Sequence, residues 1–179
     1  MSGTPTDMSG VLPDLLPDPD DPPLRVLFCG INPGLVSAAT GHHFARPGNR
    51  FWPALHLSGF TPTRLRPDEQ GVLPSLGLGI TNLVARASAR AAELSTEELA
   101  TGGQILRELT ERVQPRWLAV VGVTAYRVAF AEPKAAIGRN ERQLGSTRVW
   151  VLPNPSGLNA HWTLPAMAEE FGRLRAEAD

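Results

Sequence analysis

Apolar residues in this chain gather into short runs closed by turn residues. Residues 24–29 (L-R-V-L-F-C), 78–84, 117–122 and 149–152 form four such runs, and their length and Gly, Pro or Asn punctuation predict strands buried on both faces. Between them the apolar spacing lengthens to a helical period. The clearest helix begins at Ser95-Thr96, where Ser95 offers an N-cap and Glu97 and Glu98 occupy the first turn, and it ends near Val113, ahead of Pro115. Further helices are predicted over 51–58, 124–130 and 164–176. Strands alternating with helices imply an α/β fold, with a central, mainly parallel sheet covered on both faces as a three-layer α/β/α sandwich.

Residues 1–23 break the pattern. They are rich in Pro, Asp, Ser and Gly without sustained periodicity, which predicts a disordered or loosely attached tail, with structure beginning near Leu24 and one domain over 24–179. A chain of 179 residues, 42% of them hydrophobic, suits a single core. Asp7, Asp14, Asp18, Asp20 and Asp21 make the tail acidic, so the remainder carries 17 basic against 13 acidic side chains. That surplus allows phosphate contacts, although it is also ordinary for a soluble domain. No apolar run approaches the roughly 20 residues of a membrane span, and no basic-then-apolar leader opens the chain, so a cytoplasmic monomer without a membrane partner is expected. Cys29 is the single cysteine, which leaves no internal disulfide and no thiolate-built zinc or iron–sulfur site. Among His42, His43, His56 and His161 only the first two are adjacent, and they lack helical i,i+4 spacing. Neither a metal nor a cofactor is expected.

Two turns carry the candidate chemistry. Gly30-Ile31-Asn32-Pro33-Gly34 follows the first predicted strand and Asn154-Pro155-Ser156-Gly157-Leu158 follows the last. Each alone is consistent with ordinary turn chemistry, in which Pro fixes φ and Gly tolerates positive φ. In an open α/β sheet, ligands collect outside the carboxyl ends of the strands, so both turns should meet at one rim. Together with Gly41 to Phe44 and Asn49-Arg50-Phe51-Trp52, they make the chain resemble the mismatch-specific uracil-DNA glycosylase and thymine-DNA glycosylase family, from about Arg25 to the last helix. The resemblance implies a uracil-DNA glycosylase-like fold and hydrolytic excision of uracil from double-stranded DNA, the first step of base excision repair. It implies that Asn32 positions the attacking water, that Ile31, Ser37 and Phe44 hold the base, and that Asn154, Pro155, Ser156 and Gly157 present Leu158 to the DNA stack. Ser37 fits the family's uracil-preferring branch. One departure lies beyond the wedge: the chain reads Asn159-Ala160-His161, where the bacterial pattern has an arginine two residues after the leucine.

These residue types suit the reaction. A stacked base is out of reach, so it is flipped into a pocket and the gap it leaves is filled. Breaking the N-glycosidic bond leaves negative charge on the ring, which backbone N–H groups near Ile31 and Phe44 can stabilise. Asn32 can orient water but has no useful basicity. Glu93, in the loop after the 78–84 strand, is therefore a candidate auxiliary base, the alternative being a solvated loop charge or helix N-terminal partner. Asp68 and Glu69 read as surface residues. Lys134 is the only lysine, which favours hydrolysis over Schiff-base strand cleavage. Two other readings stay open: a broad uracil-DNA glycosylase acting also on U:A pairs and single strands, and a non-catalytic nucleotide-binding α/β module. Against the latter, Gly30 to Gly34 contains neither G-K-S/T nor G-x-G-x-x-G.

Overall fold

The computed structural model describes residues 12–179. Its centre is β1 (Val26–Gly30), all five residues of which are buried. On one side β1 pairs in parallel with β2 (Leu78–Asn82) and on the other with β3 (Trp117–Val121). β3 then pairs in parallel with β5 (Thr147–Leu152), and β4 (Gly138–Leu144) closes the sheet antiparallel to β5, giving the order β2-β1-β3-β5-β4. The pleat sends alternate side chains to opposite faces. Val26 and Phe28 pack with α2 (Phe51–Leu57) and α5 (Leu164–Ala178), whereas Leu27 and Cys29 pack with α3 (Thr96–Val113) and α4 (Val123–Ala129). The sheet thus lies between two helical layers, the predicted α/β/α class. No helix among the described residues is long and apolar enough to cross a membrane.

Several elements were not apparent from the pattern. β4 (G-R-N-E-R-Q-L) contains no apolar run; it is held by its ladder with β5 and by Glu132, which accepts from Arg142 and from Asn140 at 3.0 Å. Its outer edge carries Arg139, Glu141 and Arg142, charges that discourage pairing with another chain. α1 (Leu35–Thr40) is a single short turn-and-a-half after the first motif, and Pro67–Leu76 forms 3-10 turns bearing Asp68 and Glu69.

The predicted tail over 1–23 lies partly within the described residues. The first eleven residues of the predicted tail lie outside the described ones, but from Leu12 the segment is docked. Leu15 donates its N–H to the Ile80 carbonyl (2.8 Å) and accepts from the Ile80 N–H (2.9 Å), covering the free edge of β2. Thr81 Oγ1 donates to Asp14 at 2.7 Å, and Leu12 is only 6% exposed. Prolines and aspartates dominate the local composition, whereas the sheet edge supplies backbone partners that a local reading does not see.

Candidate active site

Four parallel strands deliver their carboxyl ends to one rim, and a cleft of about 310 Å3 opens there. The structure brings both predicted turns to it. Ile31, Asn32, Ser37 and Phe44 line one part, and Asn154, Pro155, Ser156 and Leu158 line another.

Asn32 is half-buried and its amide nitrogen is fully used: it donates to the Arg86 carbonyl and to Ser88 Oγ, both at 2.8 Å. Ser88 Oγ in turn donates to the Arg90 carbonyl at 2.7 Å, and the Ser88 N–H donates to Pro33 O at 3.1 Å. The loop after β2 is therefore tied to the first turn at both ends of the asparagine. It is also clamped from outside, since Arg86 makes a two-point ion pair with Glu98 (2.9 and 3.0 Å), the third residue of α3. Hydrogen bonding to Arg86 is the main reason the Glu98 carboxyl is held down to about 2.

Phe44 adopts φ 51°, a left-handed conformation uncommon for a bulky residue, and the chain on each side is anchored to hold it there. The His43 N–H donates to Gln70 Oε1 (2.7 Å) and the Ala45 N–H to Ser37 Oγ (3.0 Å). Ser37 is thus a buried brace for the phenylalanine as well as a wall of the cleft. One face of the Phe44 ring stacks on Phe51 at 4.1 Å, which leaves the other to the cleft. Among the described residues, neither the Ile31 nor the Phe44 N–H meets an acceptor.

Several cleft residues escaped the sequence reading. Asn82 ends β2 directly beside Gly30, its register partner, and a Cβ on Gly30 would stand 2.5 Å from Asn82 Oδ1. Glycine is the residue that lets the asparagine and Phe44 close over the end of β1. His43 is buried, with Nε2 2.9 Å from the Pro13 carbonyl; because that oxygen only accepts, Nε2 carries the proton. Burial pushes its pKa down, against the opposing hydrogen bond to Pro13 and the charge of Asp14. Leu12 completes the wall on that side. The signal for Asn82 was its place at a strand's carboxyl end; His43 lay inside the Gly41 to Phe44 string but without a task.

The last turn is rigid behind an exposed tip. Asn154 Oδ1 accepts from the Ser156 N–H (3.0 Å), Ser156 Oγ from the Leu158 N–H (3.2 Å), and Asn154 O from the Asn159 amide (3.0 Å). Arg50 staples the whole segment, donating to the carbonyls of Trp162, Ser156 (2.6 Å) and Asn159 (2.9 Å) while its own N–H donates to Pro155 O (2.9 Å). Gly157 passes so close to the preceding loop that a Cβ would lie 2.8 Å from Gly48 O. Leu158 itself is 69% exposed.

Glu93 is not brought to the cleft. It is exposed, and its carboxylate accepts from the Arg90 N–H at 2.6 Å, capping a 3-10 turn, as in the local-partner alternative. Among the described residues no other carboxylate replaces it, since the lining contains no Asp or Glu. Lys134 lies in a separate hollow beside Glu132 and Arg142. The Cys29 thiol is buried, and burial raises its pKa well above the usual value, so it is no nucleophile.

A doubly covered, mainly parallel sheet, with a cleft at its carboxyl rim that no Asp or Glu among the described residues lines, defines an α/β protein with its site at the strand ends. The family model of the uracil DNA glycosylase superfamily matches residues 17–176, and the chain belongs to that superfamily. Uracil-DNA glycosylase activity, a hydrolysis at an N-glycosyl bond of DNA in the service of base excision repair, is the activity of the family.

Proposed function

We propose that this chain is a monofunctional, mismatch-directed uracil-DNA glycosylase acting on double-stranded DNA. The observation that carries the reading is Asn32: both hydrogens of its amide are held by the 86–88 segment, inside a cleft that offers no carboxylate. The carbonyl oxygen is then the group left to accept from water. It aligns a water lone pair with C1′ of the flipped nucleotide but takes no proton, so bond cleavage runs ahead of attack and the sugar acquires oxocarbenium character. As the C1′–N1 bond breaks, its electron pair goes to the pyrimidine, whose anion meets the N–H groups of Ile31 and Phe44. Water adds to C1′ and releases its proton to solvent. Phe44 stacks on the ring, and the Asn82 amide is placed to read its polar edge.

Weak general-base chemistry favours substrates that cost little to extrude, which is the argument for U:G over U:A. Pairing and stacking oppose flipping by a few kcal/mol, least at a mismatch. Lys134, the one lysine, stands outside the cleft, which supports hydrolysis without a covalent imine. The test is release of free uracil from U:G, U:A and single-stranded oligonucleotides under single turnover. U:G excision fastest, with no borohydride-trapped adduct, is expected. Equal rates on all three would support the broad-specificity reading, and nucleotide retention without uracil release the non-catalytic one.

A further inference from the structure

The positive charge of the chain rests on sixteen arginines and one lysine, and most of the arginines are already engaged. Some meet carboxylates, as Arg25 meets Asp179 and Arg86 meets Glu98. Others donate to carbonyls, as Arg50 and Arg127 do, or lie over aromatic rings, as Arg139 and Arg148 lie over Trp117. Among the described residues, the guanidiniums of Arg46, Arg64, Arg90, Arg112 and Arg116 have neither a carboxylate nor a hydrogen-bond acceptor.

Three of these five border the cleft region. Arg90 lines the cleft itself, Arg46 lines both the cleft and a neighbouring hollow of about 280 Å3, and Arg64 lines that hollow. The two cavities share Phe44, Arg46 and Asn49 as a common wall. Among the described residues, no Asp or Glu lines either of them. Asn49 Oδ1 is committed to the Phe51 N–H at 2.9 Å, so its NH2 group is a spare donor on the shared wall. Grouped cations without counter-charge repel one another, and an arrangement of this kind becomes favourable when an anion enters.

We propose that Arg46, Arg64 and the Asn49 amide form a seat for a backbone phosphodiester of the lesion-bearing strand, next to the flipped nucleotide, with Arg90 adding a contact from the loop after β2. The assignment rests on the DNA-glycosylase reading above. It follows from chemistry: guanidinium offers paired donors in the geometry of a phosphate, and a nucleotide rotated into the cleft draws its flanking phosphates toward the same wall. Affinity gained this way is sequence-independent and salt-sensitive.

The experiment measures binding of the full chain to a duplex with one tetrahydrofuran abasic site, by anisotropy, across salt from about 50 to about 200 mM. For the Arg46→Ala/Arg64→Ala double variant, the log K against log salt slope is expected to become shallower by about 0.9, the counterion release of one duplex phosphate that is no longer neutralised. Both side chains are exposed, so the melting temperature should be unchanged. Arg46→Lys keeps the charge and should keep the slope. Arg112→Ala/Arg116→Ala removes equal charge at the end of α3 and the entry to β3, the opposite end of the sheet, and should leave the slope as it was. An unchanged slope in the Arg46/Arg64 variant would overturn the seat, and so would an equal flattening in the two pairs, which would mean a diffuse field. Because the probe is not cleaved, failure of the unmutated chain to release uracil counts against the glycosylase reading alone. Normal uracil release with an unchanged slope counts against the seat alone.

Discussion

Asn32 is oriented by what its nitrogen faces. A carbonyl oxygen never donates, so the Arg86 carbonyl at 2.8 Å fixes which end of the amide is nitrogen and leaves Oδ1 for water. Asn32→Ala should therefore retain DNA binding and lose about 10²-fold or more in single-turnover excision, the scale of roughly 3 kcal/mol of positioning. Near-normal excision by the folded variant would remove Asn32 from the mechanism. Gly30 makes a complementary case, because its substitution acts on a neighbour. In Gly30→Ala the new methyl would stand 2.5 Å from Asn82 Oδ1, the end of a movable side chain, so the asparagine is expected to swing away while the fold persists. Excision should fall with little change in melting temperature; a large drop in melting temperature would show that the strand, and not Asn82, gave way. Asn32 was legible because an amide between glycines and a proline in a turn at a strand end is a compact local signal. Its partners Arg86 and Ser88 were not, since they lie more than fifty residues along the chain and are defined only by the folded loop.

The segment from Asn154 to Asn159 shows how an element can be stiff with an exposed tip. Its carbonyls converge on Arg50, and its N–H groups are taken by Asn154 and Ser156, so Leu158 projects from a frame that does not need DNA to form. An apolar side chain that is 69% exposed on such a frame suits insertion into the stack in place of the flipped base. Leu158→Ala should reduce excision most on U:A, less on U:G and least on single strands, with an unchanged melting temperature. A uniform loss on all three with a lowered melting temperature would make it a packing residue. Arg50→Lys, which cannot span three carbonyls, should reproduce the same substrate order if the staple serves the wedge. The terminal turn was readable as a motif, yet its staple was not: Arg50 sits in an Asn-Arg-Phe-Trp string whose purpose emerges only when the loop folds back across it. Glu93 shows the converse. Sequence placed it on the correct rim, but an acid three residues after Arg90 satisfies the nearest backbone N–H first.

At the scale of the molecule, the acidic segment couples the sheet edge to the cleft. Leu15 bridges to β2, Asp14 to Thr81, and the Pro13 carbonyl accepts from His43 Nε2, which therefore carries a proton, while burial of the ring favours its neutral form. Burial is the largest cause of the lowered pKa; His42 adds to it, while Asp14 and the Pro13 hydrogen bond oppose it. A folded-state pKa below the unfolded value of 6.5 means that the unfolded chain binds the proton more tightly. The contribution is complete above pH 6.5 and is lost as pH falls through that value toward the lowered one. Glu98 acts in the same direction but only from its ordinary 4.5 down to about 2, so the onset near pH 6.5 belongs to His43. Melting temperature is therefore expected to begin declining as pH falls below about 6.5, where one differential proton is worth at most about 1.4 kcal/mol per pH unit. His43→Gln keeps an N–H for Pro13 but cannot titrate, and its melting temperature should be flatter at that onset. Parallel curves for the two proteins would show that His43 does not couple the segment's docking to pH.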